Sequence, residues 1–328
     1  MGIASPFLKT TREQRNFEKV SLFWWTRSEH PLAGSLRSFL EYGVINIFKV
    51  KMIKRGKNMR KIISALFVVF GLFAGASAFA AQEIVINGST TVLPVMQKAG
   101  EAFMHNNPSI SLSISGSGSS NGIKALTDGL CQVAMSSRDM KAAEIEAAKK
   151  KGIEPHRISI AHDAIIPVVH PGNPVDNLTV QQLRDIYAGK ITNWKDVGGK
   201  DAEIVVISRD TSSGTYESWG ELVMGKERVS PRALQQASSG AVVTAVAQNE
   251  GALGYIGFGY VNKNVKSLHV DGKTASAKAV VAKEWPISRE LYLFTNGQPE
   301  GAVKQLVDYI LDPQKGQKNV EEVGYVPL

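Results

Sequence analysis

From residue 83 onward, short apolar runs alternate with longer amphipathic ones. Residues 83–86, 110–114 and 132–135 read as strands; in 110–114 Ile and Leu alternate strictly with Ser. Residues 92–103 have the three- and four-residue apolar spacing of a helix, 122–130 suit a short helix, and 141–151 a charged, exposed one. Residues 158–169 form a long apolar run that ends in the turn cluster His170, Pro171, Gly172, Asn173, Pro174. Thr179 is placed to cap a helix over 179–187, and 195–200 is a glycine-containing loop. Further strands are expected at 203–207, 254–256 and 291–295, with helices at 216–224, 240–249, 302–311 and 315–323. Strands that alternate with helices in this way indicate βαβ units and an α/β fold on a largely parallel sheet.

One stretch stands out chemically. The apolar run 203–207 leads through Ser208, Arg209, Asp210, Thr211, Ser212, Ser213, Gly214 and Thr215 into the helix expected from Tyr216. A strand that turns through small hydroxyl residues into a helix exposes several backbone N–H groups at its positive end. The hydroxyls and the fork of Arg209 complete a half-socket for a small oxyanion. Three other segments follow the same logic at strand ends: 87–91 (Asn-Gly-Ser-Thr-Thr), the Ser/Gly run 115–122, and Ser136, Ser137, Arg138, Asp139. In an open α/β sheet, loops at the carboxyl ends of strands face one crevice. No segment matches the nucleotide P-loop, and Gly116-x-Gly118-x-x-Asn121 lacks the third glycine of a dinucleotide fingerprint.

Charge distribution removes one partner class. The net charge of +8 suggests nucleic acid, yet residues 1–80 hold 13 basic and 4 acidic side chains. That leaves 25 basic and 26 acidic in 81–328, so no nucleic-acid partner is expected. The leading segment has an export pattern. Lys54, Arg55, Lys57, Arg60 and Lys61 precede an apolar stretch at 62–73, and Ala78-Phe79-Ala80 is a cleavage sequence. The stretch is shorter than the ~20 residues a membrane span needs, so 59–80 is expected to be a cleaved signal peptide. Residues 1–58 are expected to be an upstream extension or a start assigned too early, with Met59 as the natural start. The single cysteine, Cys131, sits in an apolar run and reads as a buried, inert thiol.

Enzymatic readings find little support. Neither Ser119 nor Ser213 lies in G-x-S-x-G. His162 beside Asp163 suggests a base with its orienter, but neighbours on a strand point to opposite faces. The six histidines show no metal spacing, and no cofactor is expected. Trp194, Trp219 and Trp285 read as packing residues.

Taken together, several motifs in order resemble the substrate-binding proteins of phosphate ABC transporters, in the type II periplasmic-binding-protein superfamily. They are Gly88-Ser-Thr-Thr-Val-Leu-Pro94, Gly116-Ser-Gly-Ser-Ser-Asn-Gly-Ile123, Ser136-Ser-Arg138, Ile191-Thr-Asn-Trp194, Arg209-Asp-Thr-Ser-Ser-Gly-Thr215, Gly251-Ala-Leu-Gly-Tyr-Ile256 and Trp285-Pro-Ile-Ser-Arg289. The resemblance implies a two-lobed fold, each lobe a mixed sheet flanked by helices, with a double-crossover hinge at 166–170 and 287–293. Lobe one is then 82–165 plus 290–328, and lobe two 166–289. It implies inorganic phosphate as ligand, with Thr90, Thr91, Ser119, Ser137, Arg138, Arg209, Ser213, Gly214 and Thr215 around it. It also implies a periplasmic monomer that delivers phosphate to the membrane permease subunits of an ABC importer. One position departs from the best-known members. They carry an Asp, which accepts the proton of hydrogen phosphate, where this chain has Ser137. Asp139, Asp163 and Asp210 are candidates for the missing acceptor. Sulfate, molybdate or tungstate are the alternative ligands, followed by a phosphate-ester hydrolase and by a scaffold that has lost its ligand.

Overall fold

The computed structural model describes residues 82–328; the expected leader and its cleavage site lie outside them. β1 (Gln82–Gly88) leads into α1 (Leu93–Asn106), β2 (Ile110–Gly116), α2 (Ser119–Thr127), β3 (Val133–Ser136) and α3 (Ala142–Lys150). Next come β4 (Pro155–Val169), β5 (Asn177–Leu178), α4 (Val180–Tyr187), β6 (Val205–Arg209), α5 (Gly214–Trp219), β7 (Leu234–Gln236) and α6 (Ser239–Ala247). The chain closes with β8 (Ala252–Gly257), β9 (Lys266–Ser267), β10 (His269–Val270), α7 (Ala277–Val281), β11 (Ser288–Asn296), α8 (Gly301–Leu311) and α9 (Gly316–Glu322).

The main sheet runs β2-β1-β3-β11-β4-β8-β6-β7, with β9 also on β4. Its flanks are parallel: β1 pairs with β2 and β3, and β6 with β7 and β8. Its centre is antiparallel. β4 pairs with β11 over Pro155 to Ala164 and then with β8 over Ile165 to Val169. The sheet is therefore mixed, not largely parallel. The apolar run 158–169 shows why periodicity could not reveal this, since a strand buried on both faces reads the same in either direction.

Packing follows the pattern of apolar positions. Ile84 and Ile86 of β1 alternate inward, and α1 lays Val95, Met96, Ala99 and Phe103 over them. A Cβ on Gly100 would stand 2.9 Å from Leu112 Cδ1, so this glycine sets the close approach of α1 to β2. Burying side chains of this size stabilises the fold by roughly 1.5–3 kcal/mol each. One cluster joins these residues to Ile160, Leu291, Leu293, Leu306 and Tyr325. A small satellite holds Cys131 with Ile123, Leu126 and Phe294, and burial pushes the Cys131 thiol up to about 11. A third cluster runs from Ala164 to Ile287, is joined by Val326, and includes all three tryptophans named above. In it Trp219 stacks on Tyr255 at 4.4 Å between ring centroids, and Tyr187 tilts against both. The molecule thus has two halves with separate cores, and β4 runs through both.

Two local expectations shift. Helix α2 starts at Ser119 rather than 122, because the left-handed Gly118 (φ 102) turns the chain directly into it. The helix expected over 216–224 begins at Gly214, capped by the Ser213 hydroxyl, and continues as a π-helix over Gly220–Met224. Thr179 caps α4 as its sequence suggests, accepting from the Gln182 N–H.

Candidate functional site

Four loops at the carboxyl ends of β1, β2, β3 and β6 converge. After β1, Gly88 adopts φ 139; a Cβ there would lie 2.1 Å from the Met135 carbonyl oxygen, so only glycine fits. That carbonyl takes the Ser89 N–H at 2.9 Å. The Ser89 hydroxyl in turn accepts from the N–H groups of Thr91 (3.2 Å) and Val92 (3.4 Å). The loop after β2 is tied to it through the Gly88 carbonyl, which accepts from both Ser117 and Gly118 at 2.8 Å. These bonds fix Thr90 and Thr91 at the start of α1, with both side chains buried.

A chain of hydroxyls links the two halves. Thr91 Oγ1 lies 2.7 Å from Thr215 Oγ1 and 3.4 Å from Ser239 Oγ. The Ser239 N–H donates to Thr90 Oγ1 (3.4 Å), and the Tyr260 hydroxyl donates to the Thr90 carbonyl (2.6 Å). Arg209 Nη1 donates to Ser239 Oγ at 3.3 Å. The other donors of Arg209 meet the carbonyls of Gln236 (2.9 Å) and Ala237 (3.1 Å). Its side chain is 1% exposed, and its nearest carboxylate, Asp210, stands 3.8 Å away. Burial pulls the Arg209 pKa below its ordinary value while Asp210 opposes the shift. A buried guanidinium with so loose a carboxylate partner is suited to take an anion.

A second group adjoins the first. The Ser137 N–H donates to Ser119 Oγ at 3.1 Å, and the two hydroxyls are 3.3 Å apart. Gly214 packs against both; a Cβ there would come within 2.4 Å of Ser119 Oγ and 2.8 Å of Ser137 Oγ. The halves also meet through the backbone, where the Ser120 N–H donates to the Ser212 carbonyl at 3.0 Å. Thr90, Thr91, Arg209 and Thr215 therefore share one network, Ser119, Ser137 and Gly214 share another, and Ser213 caps the helix between them.

Arg138, expected to face the ligand, is held by an acidic partner. Its guanidinium takes both oxygens of Glu144 (2.8 and 2.7 Å), the Asp139 carbonyl and the Ser120 hydroxyl. Glu144 stands at the third position of α3 and reaches back to cap it, which draws Arg138 toward the helix. Among the candidate acceptors, Asp139 pairs with Arg157 at the surface. Asp210 accepts from the N–H and hydroxyl of Ser212. Asp163 is fully buried, with Oδ1 accepting from the Phe258 N–H and Oδ2 from Arg289. Burial pushes the Asp163 carboxyl above the usual range, and Arg289 pulls against that shift.

Sequence reasoning missed Ser239, Tyr260 and the place of Arg289 beside Thr215. Ser238, Ser239 and Gly240 form a fifth short hydroxyl run that opens a helix. Arg289 alternates in phase with Leu291 and Leu293, both fully buried, and an arginine on an inward-facing register was the available signal. Among the described residues no cluster of His, Cys, Asp or Glu could hold a metal ion.

Residues 74–314 match the sequence profile of the PBP superfamily domain. The chain is 30% identical over 251 residues to the phosphate-binding protein PstS of Bacillus subtilis, covering 76% of this chain and 82% of that one. It is 32% identical over 284 residues to PstS of Borreliella burgdorferi, covering 82% and 99%. Among solved structures, a protein of Clostridium perfringens crystallised with bound phosphate aligns with a TM-score of 0.70 and 37% identity, over 75% of this chain and all of that one. An ABC-type phosphate transport receptor from Vibrio cholerae aligns with a TM-score of 0.61 and 32% identity, again over 75% and 100%. With two separately cored halves, a strand common to both and hydroxyl-lined loops between them, the chain belongs to the PBP superfamily, in the family of the phosphate-binding proteins PstS.

Proposed function

We propose that this protein is an exported solute-binding protein that clamps inorganic phosphate between two lobes and delivers it to the permease subunits of an ABC importer. The observation that carries this reading is the buried Arg209 at the end of a hydroxyl chain drawn from both halves. Lobe one is 82–165 with 290–328, and lobe two 166–289. Thr90, Thr91, Ser119 and Ser137 supply neutral donors from the first lobe; Arg209, Ser213, Gly214 and Thr215 supply charge and donors from the second. An anion that touches both sets stabilises the closed state, because only that state makes all the contacts. Arg138 is left out of this ligand set, since its guanidinium is engaged by Glu144. The export pattern at 59–80 supports a periplasmic location; in this reading the chain works as a monomer.

A second reading keeps the fold and changes the ion. Ser137 stands where an acceptor for the phosphate proton is expected, and a lining of donors tolerates sulfate. Calorimetric titration with phosphate, sulfate, molybdate and tungstate ranks the ligands. Phosphate is expected to bind tightest. Tight sulfate binding with no response to phosphate overturns the first reading in favour of the second. Turnover of a phosphate ester that is lost in Ser213→Ala makes the protein an enzyme instead.

A further inference from the structure

We propose that Arg289 is a second cationic ligand contact in this site, oriented by Asp163, so that the anion is held between two arginines. The inference rests on the reading of the site as an oxyanion site and adds a residue to it.

Arg289 on β11 stands directly opposite Asp163 on β4 in the antiparallel register. Asp163 Oδ2 accepts from Nε (2.9 Å) and Nη2 (2.8 Å), which fixes one edge of the guanidinium. Nη2 also donates to Thr215 Oγ1 at 3.0 Å. In a planar guanidinium, one Nη1 hydrogen points in parallel with that bond. Nη1 is buried and has no hydrogen-bond partner among the described residues, on a side chain only 6% exposed. A buried donor left without an acceptor costs roughly as much as a lost hydrogen bond, so it marks a place where an acceptor belongs.

The surroundings say which acceptor. From Thr215 Oγ1 the contacts run to Thr91 Oγ1, then to Ser239 Oγ, then to Arg209 Nη1. Two buried guanidinium groups thus end on one line of three hydroxyls. Like charges brought together in a buried site repel, and an anion between them relieves the repulsion. Asp163 on β4 and Asp210 after β6 are the carboxylates that face the pair; Tyr255 on β8, Tyr260 after it and Tyr325 near the carboxyl terminus are the remaining titratable groups. Burial pushes Tyr255 and Tyr260 up to about 12 and Tyr325 well above its ordinary value, so all three stay neutral near pH 7. A contact through two cations favours the dianion of phosphate over the monoanion.

The test is calorimetric titration of phosphate and sulfate into the wild type, Arg289→Gln, Arg289→Lys and Arg209→Gln, at about pH 8 and about pH 5.5, which bracket phosphate's second ionisation. Arg289→Gln is expected to weaken both ions about 10- to 100-fold. Wild-type affinity for phosphate is expected to fall toward the acid end while sulfate, doubly charged throughout, changes little. Arg289→Gln shrinks that phosphate ratio, which a purely structural arginine would not do, and Arg289→Lys retains most of it. Arg289→Gln binding within about twofold of the wild type overturns the proposal. If that variant does not fold, equal wild-type phosphate affinity at the two pH values overturns it as well. A wild type that binds neither ion refutes the underlying reading; loss of binding in Arg209→Gln with none in Arg289→Gln refutes only this inference.

Discussion

Arg138 on one half of the molecule and Glu217 on the other stand with Nε and Oε2 2.8 Å apart. The contact is ionic rather than a well-aligned hydrogen bond, since neither atom has a partner of hydrogen-bond geometry. Lys141 reaches the same oxygen at 2.6 Å, and the Ser120 hydroxyl donates to the other oxygen at 3.1 Å. One carboxylate of α5 therefore gathers two cations and one hydroxyl donor from the opposite half, beside the hydroxyl network and not within it.

Glu217→Gln keeps the shape and removes the charge. Arg138 still has Glu144, so the loss is expected to be moderate, about 1–2 kcal/mol of closed-state stability and about tenfold in ligand affinity. Small-angle scattering of the ligand-free protein is expected to show a more open average shape than the wild type. An unchanged profile and affinity would mean that the pair contributes nothing to closure.

Arg209→Gln is expected to weaken oxyanion binding by about 100-fold or more, because it removes charge-assisted bonds from a buried site. The bonds of Arg209 to the Gln236 and Ala237 carbonyls add a structural role, since they hold the connection from β7 to α6. The variant is therefore also expected to melt at a lower temperature, which differential scanning calorimetry without ligand reads directly.

Gly214→Ala separates closure from folding. The added Cβ would collide with the Ser119 and Ser137 hydroxyls, which belong to the other half. Ligand affinity is expected to fall at least about tenfold while the ligand-free unfolding midpoint changes little, because alanine is well tolerated in a helix's first turn. A large drop in that midpoint would place the clash in the open form too.

Acid stability tests the surface. Lys124 and Lys151 hold the Asp128 carboxyl down from its ordinary 3.8 to about 2. Its folded pKa lies below its unfolded one, so the carboxylate stabilises the fold above pH 3.8 and that contribution fades as the pH falls toward 2. Asp128→Asn is expected to lower the urea midpoint near pH 5 by a small amount, with wild type and variant converging near pH 2. A constant gap across that range would rule out ionisation as the cause.

Local chemistry alone determined a good deal about this protein. Apolar spacing located β1, α1, β2 and α4, and Thr179 announced its helix, because those signals depend only on neighbours a few residues apart. The Ser-, Thr- and Gly-rich turns at strand ends marked a candidate oxyanion site for the same reason. What only the tertiary structure decided is which charges stand beside those turns. Arg138 turned to Glu144 and Glu217, while Arg289, distant in sequence, came to stand beside Thr215 opposite Asp163. Strand direction was hidden in the same way: β4 and β11 form an antiparallel centre that a doubly buried run cannot signal. Pairing, register and the partner of a buried charge are set by residues far apart along the chain, and no local pattern encodes them.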